Sequence, residues 1–342
     1  MNSPFTFVCP RHRDQDLTVH GQALSCPVCG QAASLNPLPD FLGEELEQAQ
    51  TADHYTLQWS PELGLPARLQ QSKAQKFTAA ATLPWEEFFN RLRSEANRRQ
   101  VFVYDAACGW GSILNSLLAP PAPAGLYYLG ADIHNALPQA PIPEGLKPGQ
   151  ANLVRWDVTS PLPVKEKFDY VICRSAVMIT PSPKDTIATL CQSLKPGGSL
   201  AVSIYTKKSP MREASDDALR ARIVPMNHHD AMEASRQLAS LGRDLRAVEA
   251  KVEITGDLPV LGIKAGAYGV QELIYNHFLK CWYNEEYGLE HSALVNFDWY
   301  HPQYTHRYTM EECRGMLEDA GLGIKQAVSS AYQHFLEGVK QN

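Results

Sequence analysis

The sequence of 342 residues predicts an α/β protein with a largely parallel sheet that carries helices on both faces. Three observations lead to this fold class. The run VFVYDA, residues 101–106, can form a buried strand, and it leads through a turn with two close glycines into the helix-compatible segment SILNSLLA. Apolar runs and helical segments then alternate up to residue 205. A cysteine-rich segment of different character precedes them.

The glycine turn distinguishes between two kinds of nucleotide site. A dinucleotide site requires G-x-G-x-x-G, in which the glycines let the backbone approach a pyrophosphate at the helix N-terminus. After Gly111 the chain reads Ser-Ile-Leu, so the third glycine is missing. The segment Asp105-x-x-Cys108-Gly109-x-Gly111 instead resembles the first motif of class I S-adenosylmethionine-dependent methyltransferases, D/E-x-G/A-C-G-x-G. That cofactor has no phosphate, and small residues let the backbone approach its methionine moiety closely.

The next apolar run, LYYLGADIH at residues 126–134, resembles the second strand of the same family. It ends in Asp132, where an acidic residue bonds ribose hydroxyls in a doubly wound fold. The spacing from Asp105 is 27 residues, longer than the roughly 20 of a dinucleotide fingerprint. The insert APPAPAG at residues 119–125 accounts for the excess.

Three later segments resemble the remaining motifs in order. ANLVRWDVTSPLP, residues 151–163, is similar to the third motif, in which Asp157 would lie next to the adenine. FDYVICRSAVMIT, residues 168–180, matches the fourth strand. TIATLCQSLKPGGSLAVSIY, residues 186–205, gives a helix, the K-P-G-G turn of the family and a fifth strand. The resemblance therefore covers residues 101–205 and implies the Rossmann-like class I methyltransferase sheet.

The resemblance also implies S-adenosylmethionine as the cofactor and identifies the residues that would bind it. These are Asp105, Ala107, Cys108, Gly109, Gly111, Asp132, Ile133, Asp157, Val158 and Arg174. Two places depart from the family pattern. Ala107 stands where glycine is frequent, an exchange that keeps the side chain small. Met178-Ile179-Thr180 stand where many relatives have a histidine, so no catalytic role of that histidine carries over.

A segment ahead of the core provides further cofactor candidates. HYTLQW, residues 54–59, resembles a Y-x-x-Q-W element that precedes the core in some related methyltransferases and helps to cover the cofactor. Tyr55, Gln58 and Trp59 are therefore candidates for cofactor binding. An amphipathic packing helix is an equally good alternative for this segment.

Charge and composition restrict the possible partners. The formal net charge of −6 argues against a nucleic-acid substrate, because phosphate-binding chains usually have a basic surplus. Arg91, Arg93, Arg98 and Arg99 could form a local basic patch, but they end a predicted helix started by Pro84, where cations suit the helix dipole. We find no apolar run of membrane-spanning length and no signal-peptide core, so we expect a cytoplasmic protein without a membrane partner.

The first thirty residues predict a metal site. Cys9-x-x-His12 and Cys26-x-x-Cys29 are two ligand pairs separated by 13 residues, and pairs of this spacing can present both ligands to one tetrahedral ion. The segment DLTVHGQAL between them predicts a short hairpin. So small a segment cannot bury a core alone, and a metal would supply the missing stability. His20 is the alternative fourth ligand, and unrelated thiols are the alternative to a metal site.

This segment, with the following SLNPLPDFL, resembles the zinc-ribbon modules in front of some bacterial methyltransferases, including rRNA guanine methyltransferases, in which the ribbon can help to hold RNA. Here Arg11 and Arg13 are offset by Asp14 and Asp16. We therefore expect a structural Zn²⁺ site, with all four positions filled by protein.

The chain is predicted to continue its core after a long insertion. Thr309-Met-Glu-Glu312 is a capping box that opens the helix EECRGMLEDAGL, and GIKQAVSS follows as a strand. The predicted segments are a zinc-ribbon-like module at 1–45, a helical linker and cofactor cover at 46–100, the S-adenosylmethionine-binding core at 101–205, a mainly helical substrate-binding lid insertion at 206–308, and the C-terminal helix and strands at 309–342.

The insertion is rich in aromatic residues, with 11 of them in the 41 residues 268–308. They could line a pocket for a flat or apolar substrate or form a small core. The periodicity of VQELIYNHFLKCW, residues 270–282, favours a core helix. FDWYHPQYTHRYT, residues 297–309, is predicted to be irregular. It resembles a D-W-Y-x-P-x-Y-x-x-x-H-T segment of some small-molecule methyltransferases, with Tyr308 at the histidine position.

Methyl transfer is an in-line displacement at a sulfonium carbon, so positioning and exclusion of water supply much of the catalysis. A neutral histidine would suit as the base for a protonated nucleophile, and His228, His229 and His301 are candidates, with Tyr304 as a polar positioning group.

The leading hypothesis is a methyltransferase acting on a small metabolite, aromatic or natural-product-like. The alternatives are an RNA-base methyltransferase that docks through the ribbon, and a cofactor-binding regulatory or scaffold protein without activity. The sequence does not determine the oligomeric state.

Overall fold

The computed structural model of the chain describes residues 3–42, 48–59 and 83–341. Two compact units are present, one of Met1–Thr206 with Tyr308–Asn342 and one of Lys207–Arg307. We call them the core unit and the insertion unit. Of the predicted helical linker, only residues 48–59 and 83–100 lie within the described ranges. No helix in these ranges is long and apolar enough to cross a lipid bilayer.

The core unit begins with a small antiparallel sheet. Its strands are β1 (Thr18–His20), β2 (Ala23–Cys26) and β3 (Gly30–Ser34). β1 and β2 form the hairpin predicted between the two ligand pairs. Ahead of this sheet, Phe5 is buried with its ring stacked on Phe168 and edge-on to Phe102. The N-terminal module therefore shares the hydrophobic core of the main sheet.

The main sheet has seven strands in the described part of the chain. They are β4 (Val101–Ala106), β5 (Leu126–Asp132), β6 (Ala151–Arg155), β7 (Phe168–Arg174), β8 (Leu194–Tyr205), β11 (Leu322–Ser329) and β12 (Gln333–Lys340). Their order is β11-β12-β8-β7-β4-β5-β6. β4 to β8 are parallel, whereas β12 runs antiparallel to both β8 and β11. The predicted α/β fold with a Rossmann-like sheet is confirmed.

Helices cover both faces of this sheet. They are α2 (Trp85–Ala96), α3 (Ser112–Leu118), α4 (Pro183–Gln192) and α9 (Met310–Asp319), and the core unit also contains α1 (Ala49–Gln58). α2 and α3 pack on one face, and α4 and α9 on the other. Successive residues of a strand point to opposite faces, so Val101 and Val103 join the first cluster while Tyr104 joins the second. At the start of α9, Thr309 and Glu312 form both hydrogen bonds of the predicted capping box.

The insertion unit is mainly helical, as predicted. Its elements are α5 (Pro210–Ile223), α6 (His228–Arg246), β9 (Lys251–Ile254), β10 (Gly266–Gly269), α7 (Val270–His277) and α8 (Gly288–Tyr300). The helix predicted at 270–282 is present as α7 and ends at His277. The prediction of irregular chain from Phe297 is wrong up to Tyr300. These two side chains are fully buried and three residues apart, so they continue the inward face of α8.

Asp216 organises a polar cluster inside the insertion unit. Its carboxylate is 1% exposed and accepts from Arg212 Nε at 2.6 Å, Trp299 Nε1 at 2.9 Å, Tyr300 Oη at 2.8 Å and the Lys280 backbone N–H at 3.0 Å. The Lys280 ammonium lies 4.4 Å from the centroid of the Trp299 ring. Burial lowers the pKa of Lys280 to about 7.

Candidate cofactor and metal sites

The predicted cofactor residues lie at the carboxyl edge of the parallel strands. Asp105 lies near the end of β4, Asp132 ends β5, Asp157 follows β6 and Arg174 ends β7. The chain runs outward from β4 to β6 and then continues on the other side of β4 with β7. In doubly wound folds, ligands bind outside the carboxyl ends of the strands at such a reversal of strand order.

The turn after β4 has a left-handed backbone at three positions. Ala107, Gly109 and Gly111 have φ values of 60°, 53° and 79°. Glycine adopts this conformation freely, whereas an alanine costs about 1–2 kcal/mol there. Alanine at position 107 therefore keeps the side chain small, as predicted, but its left-handed backbone costs conformational free energy. Cys108 is buried, and its backbone N–H donates to Ala131 O on β5 at 3.0 Å.

Asp132 connects this turn to the end of β5. Its Oδ2 accepts from the Gly109 backbone N–H at 2.7 Å, and its Oδ1 accepts from the Ile133 N–H at 2.7 Å and the His134 N–H at 3.3 Å. His134 is fully buried, and its Nε2 lies 3.2 Å from Gly109 O. Sequence reasoning missed His134, although it stands two residues after the predicted ribose acid. A carboxylate has about four acceptor positions, so Asp132 can also accept from a ligand hydroxyl.

Asp105 is a fully buried carboxylate with one oxygen available. Its Oδ2 accepts from Tyr128 Oη at 2.5 Å. Its Oδ1 is buried and has no hydrogen-bond partner among the described residues. Burial raises the pKa of Asp105 to about 7; the Tyr128 hydrogen bond opposes the shift, and the charge of Asp132 adds to it. An unpaired buried acceptor is costly, and a cationic ligand group is the partner that suits it.

Asp157 is held by a residue that sequence reasoning missed. Gln48, directly before α1, is 4% exposed, and its Nε2 lies 2.9 Å from Asp157 Oδ1 and 2.8 Å from Oδ2. Thr159 donates to the same Oδ1 through its backbone N–H at 2.9 Å and its hydroxyl at 2.7 Å. Val158, between them, is buried in the core.

Helix α1 contacts the other two loops of this edge. Thr56 Oγ1 accepts from the Asn135 backbone N–H at 2.9 Å, in the loop after Asp132. A Cβ built on Gly109 would lie 3.1 Å from the Trp59 ring, so the indole packs on the glycine turn. The Gln58 Oε1 is buried with no hydrogen-bond partner in the described ranges. The Tyr55 ring is half-buried and lies 4.8 Å from the ring of the preceding residue.

The end of β7 contributes two neighbouring residues. The Arg174 side chain is exposed, and its guanidinium lies 5.6 Å from the Trp85 ring centroid. Ser175 has a φ of 58°, its N–H donates to Ser203 Oγ at 3.0 Å, and its Oγ accepts from Gln333 Nε2 at 2.8 Å. A left-handed serine is uncommon, and such strain is concentrated at functional sites. No sequence pattern identified Ser175.

The four catalytic candidates all belong to the insertion unit. His228 begins α6, and its ring lies 5.1 Å from the ring of His301. His301 is 1% exposed, and its Nε2 lies 3.2 Å from Met226 O, which requires the proton on that nitrogen. His229 is exposed, and the Tyr304 ring is stacked on His306 at 6.4 Å. The structure brings only His228 and His301 together, and the catalytic roles stay predictions.

The predicted metal ligands form a compact group. Cys9, His12, Cys26 and Cys29 present ligand atoms that all lie within 4.8 Å of one another. Cys9 Sγ lies 3.6 Å from both His12 Nδ1 and Cys29 Sγ, and Cys26 Sγ lies 3.7 Å from His12 Nδ1. Usual Zn–S and Zn–N bond lengths in a tetrahedron give edges of about 3.8 and 3.5 Å. The group therefore has the dimensions of a zinc site. His20, the alternative ligand, is exposed on β1 outside it.

The metal-ligand module, residues 3–42, contacts the loop that carries Asp157. The ring of Phe41 lies edge-on to Trp156 at 5.7 Å. Asp40 forms an ion pair with Arg155, whose guanidinium also donates to Ile133 O at 3.2 Å. The module is thus connected by two successive contacts to the loop that follows Asp132. The contacts of Asp40 and Phe41 join residues 115 positions apart, so no local pattern predicts them.

Basic residues collect at the opposite edge of the sheet. A pocket of about 470 Å³ there includes Arg13, Lys165 and Lys167 in its lining. Arg13 donates to the carbonyl of Leu162 at 2.8 Å, and Lys167 donates to the carbonyl of Gln192 at 2.7 Å. These groups precede β7, so they are separated from its carboxyl end by the length of a seven-residue strand, roughly 20 Å.

Part of the chain matches a known protein family. Residues 104–202 match the family model described as "Methyltransferase domain". No curated protein matches the sequence significantly. Among solved structures, the chain is similar to magnesium protoporphyrin IX methyltransferase from Synechocystis PCC 6803 with bound SAH, at 17% identity over 85% of this chain and 98% of that chain, with a TM-score of 0.42. It is also similar to PKMT2 from Rickettsia typhi in complex with AdoHcy, at 15% identity over 76% of this chain and 53% of that chain, with a TM-score of 0.47.

The matched region begins on β4 and ends on β8. It contains the left-handed turn and the three acidic residues at the carboxyl edge. Residues 104–202 therefore form a methyltransferase domain, and the cofactor expected from the sequence is S-adenosylmethionine.

Proposed function

We propose that this methyltransferase transfers the methyl group of S-adenosylmethionine to a small-molecule acceptor. One observation carries the cofactor part of the proposal, namely the three acids aligned along the ends of neighbouring strands. Asp105 offers a buried acceptor to a cationic group, Asp132 offers acceptors to ribose hydroxyls, and Asp157 lies farther along the same edge. The bound cofactor would supply an electrophilic methyl group, and these residues would hold and orient it.

A small acceptor is favoured over RNA because three of the four candidate arginines bind groups within the protein. Arg91 pairs with the buried Glu337, and Arg99 pairs with Asp169. The Arg93 guanidinium donates to four backbone carbonyls at the end of α3 and in the segment after it. With a formal net charge of −6, this leaves little positive surface for a phosphate backbone. The basic pocket beside the metal-ligand module lies on the edge of the sheet opposite to the acids.

The decisive experiment follows the label from methyl-tritiated S-adenosylmethionine into fractions of a cell extract. We expect enzyme-dependent label in the fraction below a few kilodaltons, and none with the Asp132→Ala variant as control. Label in purified RNA would support the RNA-base alternative instead. Binding of S-adenosylhomocysteine by calorimetry without label in either fraction would support a regulatory or scaffold role.

We further propose that Cys9, His12, Cys26 and Cys29 hold one structural Zn²⁺. The support is the tetrahedral spacing of their ligand atoms. Metal analysis of the purified protein is expected to give about one zinc per chain, with loss of zinc in Cys29→Ser. Cys191→Ser, a buried cysteine of α4, serves as the matched control and should retain the metal. Full-length protein without zinc would contradict this assignment.

A further inference from the structure

The carboxylate of Asp157 is held so that its two oxygens are not equivalent. Oδ1 accepts from Gln48 Nε2 and from both donors of Thr159. Oδ2 accepts only from Gln48 Nε2 among the described residues, at 2.8 Å. Since each carboxylate oxygen offers about two acceptor positions, Oδ1 is saturated and Oδ2 keeps one position for another donor.

The chemistry of this contact also determines the orientation of the amide. An ionised carboxylate only accepts hydrogen bonds, so the amide nitrogen of Gln48, and not its oxygen, must face Asp157. Gln48 is 4% exposed and lies 109 residues away from Asp157 in the chain, so the contact is a tertiary one inside the protein. Removing the amide would take away the donor that holds Oδ2, so that only the Thr159 donors on Oδ1 would still orient the carboxylate.

The position of Asp157 along the edge indicates which ligand group it meets. The acid that ends β5 is the one that bonds ribose hydroxyls in a doubly wound fold. Asp157 follows β6, one strand farther from β4, at a strand spacing of about 4.8 Å. The resemblance to the third family motif implies that the adenine lies next to Asp157, so the base attached to the ribose would extend toward it. An exocyclic amine on the base is a donor for Oδ2, whereas a carbonyl at the same place would be repelled by it.

We propose that Gln48 is a positioning residue for base recognition: it fixes the Asp157 carboxylate so that Oδ2 selects a purine with an exocyclic amine. This inference rests on the proposed cofactor. The segment before the methyltransferase domain would thus take part in recognising the adenine of the ligand. At the other end of α1, Trp59 packs on the glycine turn, so the segment from Gln48 to Trp59 contacts both the turn after β4 and the loop after β6.

The test compares S-adenosylhomocysteine with S-inosylhomocysteine, in which a carbonyl replaces the amine, by titration calorimetry on the full-length protein. We expect the wild-type protein to prefer the adenosyl ligand by a factor on the order of 10 to 100, the range of a hydrogen bond to a charged group. In Gln48→Leu this ratio should fall to within a few-fold of one. Gln192→Leu, at the exposed end of α4 on the opposite edge of the sheet, is the matched control and should keep the wild-type ratio.

A purely structural role of Gln48 predicts a different result. If the amide only anchors α1, Gln48→Leu would weaken both ligands by the same factor, and an unchanged ratio would overturn the inference. Failure of the wild-type protein to bind either ligand would instead remove the proposed cofactor and the inference with it. If Gln48→Leu does not fold, Gln48→Glu replaces it. Two facing carboxyls share a proton, so its adenosyl preference should recover as the pH falls; a preference that does not vary with pH would contradict the inference.

Discussion

Protonation of Asp105 is expected to control cofactor affinity near neutral pH. The carboxyl is fully buried, Oδ1 has no partner in the described part of the chain, and burial raises its pKa to about 7. S-adenosylmethionine and S-adenosylhomocysteine both carry an ammonium group, and a cation next to Oδ1 favours the ionised carboxylate. Binding should therefore release a proton from Asp105 at pH values below its pKa, and affinity should fall as the pH is lowered.

The magnitude follows from the pKa of about 7. About one molecule in eleven carries the ionised carboxylate at pH 6 and about ten in eleven at pH 8, so affinity should rise by about tenfold across this interval. The same shift also affects stability without ligand. The folded protein binds the proton more tightly than the unfolded chain, so the free energy of unfolding should fall as the pH rises from about 4 to about 7. The full effect is of the order of 4 kcal/mol.

Calorimetric titration with S-adenosylhomocysteine from pH 6 to pH 8, repeated in buffers of different ionisation enthalpy, measures both the affinity and the released proton. Asp105→Asn preserves the shape and cannot ionise. We expect it to lose affinity by about 10- to 100-fold at pH 8 and to show no pH dependence over this range. The same tenfold pH dependence in Asp105→Asn would refute the reasoning, because the titrating group would then not be Asp105.

Three further predictions concern metal, charge and packing. Removal of zinc by a chelator should weaken S-adenosylhomocysteine binding several-fold. Asp40→Asn should cause part of this loss while keeping the metal. Equal affinity with and without zinc would contradict the connection through the ion pair between Asp40 and Arg155. Asp216→Ala leaves the Arg212 guanidinium buried without its carboxylate and should lower the free energy of unfolding in urea by about 3–5 kcal/mol. Gly242→Ala drives a Cβ into the backbone carbonyl oxygen of Cys281 and should lower the melting temperature clearly. Gly256→Ala, with no atom within 4 Å, should leave it unchanged.

The predictable part of this protein depends on short sequence patterns. Each strand of the core has its polar residue where the apolar run ends, so Asp105, Asp132 and Asp157 could be assigned to one edge from the sequence alone. The metal ligands could be predicted because Cys9-x-x-His12 and Cys26-x-x-Cys29 specify their geometry by spacing.

The contacts that complete the site could not be predicted in this way. Gln48 meets Asp157 across 109 residues, and Asp40 meets Arg155 across 115. Such pairs depend on how separate segments pack, and a single glutamine or aspartate in a loop carries no periodic signal. The wrong prediction at Phe297 has a related cause, because the burial of that ring inside the insertion unit decides its helical conformation.

These long-range contacts change what counts as the cofactor-binding part of the chain. Residues 101–205 contain the family motifs, yet Asp157 is held by Gln48. Arg155, which contacts the loop that follows Asp132, is paired with Asp40. Both partners come from before residue 60, and the second lies within the metal-ligand module. The isolated core would therefore keep the contacts that orient Asp105 and Asp132 but lose the one from Gln48 to Asp157, because part of its binding edge is built by the N-terminal segments.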